Sequence, residues 1–134
     1  MISIIIGSTT EITRKQIAYI QAKINGDNML YKDIMLYNPL EDQFGNITEK
    51  EFMHGLARSD VLIMSGGETA YTLLYSSGFS YLLSRNQIMP LISTGIIIGG
   101  LFHEKNYIIK GGSIGDASIY DSLIKYARNN FLNE

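Results

Sequence analysis

The residues Ile2-Ser3-Ile4-Ile5-Ile6 form a β-branched run that stops at Gly7. A half-exposed strand alternates apolar and polar side chains, so a short run without that alternation reads as a strand buried on both faces. The pattern after it is helical, with Ile12, Gln16, Ile17, Ile20 and Ile24 at helical spacing behind possible N-caps from Thr10 to Thr13. Strand then helix is the first unit of an α/β layer structure.

The alternation continues along the chain. Asn25-Gly26 is expected to end the first helix with a left-handed residue. Residues 29–36 are expected to form a second strand, with Lys32 and Asp33 marking an edge or exposed position. Pro39 opens a polar stretch through Asn46, and Thr48-Glu49-Lys50-Glu51 has the form of a capping box. The helix behind it should run to about Ser59, burying Phe52, Met53 and Leu56. Val61 to Met64 reads as a strand running into Ser65-Gly66-Gly67-Glu68-Thr69, with a helix over 70–77 ending at Gly78. Further strands are expected at 79–83, 96–98 and 107–109, the last two as a hairpin around Gly99-Gly100. A helix over 116–131 presents Ile119, Leu123, Ile124 and Ala127. These elements predict a three-layer α/β/α sandwich with a mostly parallel, partly mixed sheet, as a single domain over 1–134.

Composition narrows the function. The 134 residues include no cysteine, which excludes a disulfide framework and Cys-ligated metal sites and suits the cytoplasm. The net charge is −2 with the signs interspersed, so nucleic acid is not an expected partner. The apolar runs at 1–6 and 92–101 fall short of the roughly 18–20 residues that a membrane span needs.

Three loops each follow a strand and precede a helix, which places them at the edge where α/β sheets bind ligands. Gly7-Ser8-Thr9-Thr10 offers a sharp turn and small hydroxyls, and is equally a common capping turn. Gly66-Gly67-Glu68-Thr69 lets the main chain approach a ligand and point amides at phosphate oxygens; otherwise it is a tight turn with Glu68 against the helix dipole. Glu68 fits a ribose, a Mg²⁺ ion or a structural role better than a direct phosphate contact. The loop from Lys110 to Asp116 is glycine-rich but lacks the spacing of a P-loop. His54 and His103 have no ligand-spaced partners, and no residue is nominated as catalytic or as a metal ligand.

Taken in order, these motifs resemble the C-terminal nucleotide-binding domain of the four-carbon acid sugar kinase family, which includes threonate, erythronate and 3-oxo-tetronate kinases. The matching positions are Gly7-Ser8, Thr13 with Gln16, Gly66-Gly67-Glu68-Thr69, Pro90, and Lys110, Gly112 and Gly115. The resemblance implies ATP as the ligand, with Mg²⁺ accompanying it, and Ser8, Gly66, Gly67, Glu68, Thr69, Lys110 and Gly112 around the nucleotide. It also implies a separate substrate-binding domain with an Asp-Asp-x-Thr-Gly motif, since this chain contains no Asp-Asp pair. Alone the chain is not expected to phosphorylate a sugar acid; a homodimer is the expected self-assembly. Where the family carries Pro-Gly this chain has Pro90-Leu91, and Gly111, Ser113 and Ile114 stand where Ser, Asn and Phe are usual. A leucine intruding on the ligand would make the domain a degenerate, non-catalytic nucleotide-binding or protein-interaction module, which is the alternative reading.

Overall fold

The computed structural model describes residues 1–38 and 50–132. In chain order its first elements are β1 (Ile2–Ile6), α1 (Glu11–Gly26), β2 (Ile34–Tyr37), α2 (Lys50–Leu56) and β3 (Val61–Ser65). There follow α3 (Gly67–Ser77), β4 (Tyr81–Met89), β5 (Ile92–Ile98), β6 (Asn106–Lys110) and α4 (Ile119–Ala127), which continues into a π-helical turn at Arg128–Leu132. The strands form one sheet in the order β2-β1-β3-β6-β5-β4. The first four are mutually parallel, and β5 and β4 extend the sheet antiparallel, so it is mostly parallel and partly mixed as expected.

Burial on both faces of β1 is real, with all five residues buried. Ile4 and Ile6 pack with Ile17 and Ile20 of α1 and with Leu123 and Ile124 of α4. Ile5 faces the other way, into a second core with Met53 and Leu56 of α2 and Leu73 and Leu74 of α3. The helices therefore sit two on each face, and the sandwich has three layers. No helix among the described residues is long and apolar enough to cross a membrane.

Several boundaries differ from expectation for physical reasons. Gly26 is not left-handed: α1 is closed by Asp27, whose φ is −144° and whose carboxylate accepts from the amide of Leu30 at 3.0 Å. That side-chain turn removes the need for a positive φ. It also takes up the start of the expected strand, so β2 begins only at Ile34, after the side chain of Tyr31 has been buried. Among the described residues β2 has one strand neighbour, β1, in keeping with the edge assignment. Helix α3 starts at Gly67, so three of the four motif residues are its first turn rather than a free loop; it ends at Gly78 as expected, and that glycine is left-handed. Strand β4 is nine residues long, well beyond the expected 79–83, and nearly all of it is exposed along the open edge of the sheet. Its ladder to β5 shifts register twice, between Ser84 and Asn86 and between Gln87 and Met89. The helix expected over 116–131 is regular only from Ile119 to Ala127. Helix α2 ends at Leu56, short of Ser59. Thr48 and Glu49 of the capping box, and the polar stretch from Pro39, lie outside the described residues.

Candidate functional site

The chain leaves β1 toward β2 on one side, through α1 on one face of the sheet. It then returns to place β3 on the other side of β1, after α2 on the opposite face. Where neighbouring strands part in this way their carboxyl ends leave a crevice, the usual ligand position in open α/β sheets. Here that crevice is a cleft of about 470 Å³ lined by Gly7, Ser8, Gly66, Gly67, Glu68, Thr69 and Thr72. Five of the seven residues expected at the site line it. Thr72 was missed, yet it lies one helical turn after Glu68, and that i,i+4 spacing carried the signal.

The cleft floor is built by two loops that interlock. Gly66 holds φ at +97°, a conformation that disfavours any side chain, and its amide donates to the Lys110 carbonyl at 2.9 Å. Helix α3 then begins with no side-chain cap on Gly66. The first amides of a helix have no intrahelical acceptor, so Gly67, Glu68 and Thr69 offer donors at the positive end of the dipole. Thr69 reaches across to β1. A Cβ built on Gly7 would lie 1.6 Å from its Oγ1, so the Thr69 hydroxyl stands where a side chain of residue 7 would begin.

The first loop is organised by hydroxyls. Thr10 caps α1 by accepting from the Thr13 amide at 3.2 Å. Buried Thr13 donates to Ser8 Oγ at 2.8 Å, and Thr10 bonds Ser113 of the third loop at 2.8 Å. The Ser8 hydroxyl itself donates to Thr10 Oγ1 across a long 3.5 Å. Its proton is therefore weakly engaged and free for a ligand in the cleft.

The third loop stands behind the cleft rather than lining it. Gly112 adjoins Ser8, since a Cβ there would lie 3.4 Å from the serine Cβ. Lys110, at the end of β6, is fully buried and does not reach the cleft. Its Nζ donates to the carbonyls of Gly111 at 2.8 Å, Gly112 at 2.6 Å and Ile114 at 2.9 Å. It lies 5.4 Å from the ring of Tyr120, whose hydroxyl donates to Ser65 Oγ at 2.8 Å. Burial pushes the lysine down to about 8 and the tyrosine up to about 12. The amide nitrogen of Gln16, on α1, donates to the carbonyls of Ile114, Gly115 and Asp116. Its Oε1 is the buried side-chain polar atom left without a partner among the described residues. His54 is exposed on α2, and His103 Nδ1 accepts from the Gly99 amide at 2.7 Å in the β5–β6 turn.

Leu91 does not intrude on the cleft. It follows Pro90 in the β4–β5 turn with φ at +64°, is 67% exposed, and its carbonyl accepts from the Gly111 amide at 3.0 Å. The backbone keeps the left-handed conformation that glycine would take, at about 1–2 kcal/mol of strain. Leu91→Gly should therefore leave Tm within a few degrees and the heat of unfolding nearly unchanged. Relief of strain is offset by the roughly 0.4–1 kcal/mol of entropy that glycine returns to the unfolded chain. Parallel calorimetric and thermal-melt measurements on the two proteins check this.

No family model matches the chain. Over 73 residues, 54% of its length, the chain is 29% identical to a D-erythronate kinase from Heliobacterium modesticaldum. Its fold matches a domain of unknown function (DUF1537) from Bordetella bronchiseptica, crystallised with citrate as a domain-swapped dimer. That structure has a TM-score of 0.70 and 15% identity over 95% of this chain. A Haemophilus influenzae protein of the same domain family gives 0.59 and 19% over 97%. The match to the erythronate kinase supports a four-carbon acid sugar kinase family domain, at low identity. The structures contribute the fold, and the erythronate kinase contributes the likeness in sequence. The chain spans 17% of that kinase, 38% of the Bordetella protein and 40% of the Haemophilus one.

Proposed function

We propose that this domain binds ATP and serves as the nucleotide-binding part of a four-carbon acid sugar kinase. The observation that carries the reading is the switch-point cleft, whose wall is the uncapped N-terminus of α3 entered through the left-handed Gly66. Amides and dipole suit phosphate oxygens, and the Ser8 hydroxyl adds a side-chain donor. In phosphoryl transfer the protein mainly positions and neutralises, which is the chemistry these groups supply. A Mg²⁺ ion accompanying the nucleotide would supply charge neutralisation between phosphate oxygens. Glu68 carries the carboxylate in the cleft lining that could take such an ion or a ribose hydroxyl.

The acid-sugar contacts and the catalytic base belong, in this reading, to a separate substrate-binding domain. The small share of each relative that the chain covers supports this. A homodimer in the cytoplasm is the expected assembly; the domain-swapped dimer of the Bordetella protein supports the self-association. The degenerate-module alternative depended on a blocked pocket, and Leu91 lies outside the cleft lining.

Thermal melting with ATP and Mg²⁺ tests the reading. At a hundredfold excess over Kd, binding adds about 2.7 kcal/mol of stability, a rise in Tm of several degrees. An unchanged melt at millimolar nucleotide, with no heat in calorimetry, would sink it.

A further inference from the structure

The lysine of the third loop is expected, on the family resemblance, to meet the nucleotide itself, and the geometry points elsewhere. We propose that Lys110 is a positioning residue which, together with Gln16, turns the carbonyls of the third loop inward and so holds its amides outward as an anion-binding wall beside Ser8. The inference rests on the ATP reading above.

The argument begins with the peptide unit. A trans peptide is planar, and its C=O and the following N–H point in opposite directions. No peptide bond among the described residues is cis. Lys110 Nζ draws in the carbonyls of Gly111, Gly112 and Ile114, and Gln16 Nε2 draws in those of Ile114, Gly115 and Asp116. The N–H groups of Gly112, Ser113, Gly115, Asp116 and Ala117 must then face away from the two side chains. Successive outward amides make a concavity that suits anions. Thr10 to Ser113 at 2.8 Å and Thr13 to the Gly112 carbonyl at 3.3 Å tie this loop to the first one. Gly112 lies against Ser8, which lines the cleft, so the Gly112 end of the wall is the part beside it.

The same geometry argues against direct contact. An ammonium has three hydrogens, and three loop carbonyls take them all. Lys110 therefore acts through the backbone, with its charge behind a layer of peptide.

The test compares ATP, ADP and AMP binding, each with Mg²⁺, in the parent chain and Lys110→Met, alongside hydrogen exchange at residues 111–117 without nucleotide. Lys110→Met should weaken ATP and ADP by the same factor, about tenfold, a 1.4 kcal/mol loss. It should also speed exchange across the loop in the nucleotide-free protein. Gln16→Ala removes the other half of the clamp and should give the same pattern; it carries the test if Lys110→Met fails to fold. Loss confined to ATP, or unchanged exchange, overturns the proposal in favour of a phosphate contact or no role. If the parent binds no nucleotide the ATP reading falls, and the exchange measurement still decides what Lys110 does.

Discussion

Gly7→Ala should lower Tm by roughly 10 °C and weaken nucleotide binding at least tenfold. The added Cβ would fall 1.6 Å from Thr69 Oγ1, which no rotamer of alanine avoids. Thr69 belongs to the first turn of α3 and Gly7 follows the buried strand β1. Relief therefore means moving one of the two loops that form the cleft. Overpacking of this kind typically costs about 1–3 kcal/mol, and the added carbon would also lie 2.7 Å from Thr69 Cβ, which no rotation of that side chain relieves, so this case falls at the top of that range. For a chain of this length that corresponds to roughly 3–4 °C per kcal/mol. The effect should depend on its partner: in a Thr69→Gly background, Gly7→Ala should cost at least about 1 kcal/mol less than in the parent, the signature of contacting residues. Equal cost in both backgrounds would mean that the loops are not interlocked. Denaturant titration of the four proteins measures it.

Asp121→Ala should cost about 3 kcal/mol at neutral pH. Asp121 is a buried carboxylate on α4 that accepts from the Tyr31 hydroxyl at 2.6 Å and pairs with Lys125 at 3.3 Å. Beside it Arg128 joins Asp33 at 2.7 Å and the Leu30 carbonyl, so the turn before β2 is fastened to α4 at several points. Removing the carboxylate strands a buried phenol, worth about 1–3 kcal/mol, and also deletes the ion pair. The interaction has a pH signature too. Burial pushes the Asp121 carboxyl up, but the hydrogen bonds from Tyr31 and Lys125 outweigh it and hold the group below its usual value. The Tyr31 hydroxyl, bonded to that carboxylate, is pushed up to about 12. With its folded value depressed, Asp121 stabilises the protein fully above the ordinary carboxylate range, about pH 4, and loses that contribution as pH falls through the folded value. Melting curves from pH 7 downward should therefore fall less steeply for Asp121→Asn than for the parent. Parallel curves would show that Asp121 is not the group responsible.

What was legible in the sequence follows from how local each signal is. The isoleucine run, the Gly-Gly turn into α3 and the glycine that ends α3 depend on a few adjacent residues, and each is in place. Strand β4 was read short because Arg85, Asn86 and Gln87 have no period-two pattern, and an edge strand exposed on both sides needs none. Tyr31 reads as part of a strand until its partner on α4 is known, 90 residues away. The candidate cleft was largely legible, since glycines and hydroxyls after strands carry their own warrant. The orientation of Lys110 was not. A lysine opening a glycine loop looks the same whether it points into a ligand or under its own backbone, and only contacts with residues 111, 112 and 114, and their continuation to Gln16, decide between them. Leu91 shows the converse: a side chain that reads as intruding on the ligand occupies an exposed left-handed turn outside the cleft lining.

The open edge of β4 has a consequence for the behaviour of the protein at high concentration. A strand nine residues long with its outer edge open among the described residues would ordinarily recruit a second chain and seed fibrous assembly. A recruited strand keeps regular step only while its template does, and here the template loses step after Ser84 and again after Gln87. The longest unbroken stretch is Tyr81 to Ser84, and Arg85 stands directly after it. Irregularity therefore does the work of a cover, and straightening this strand by design would trade colloidal safety for a tidier sheet.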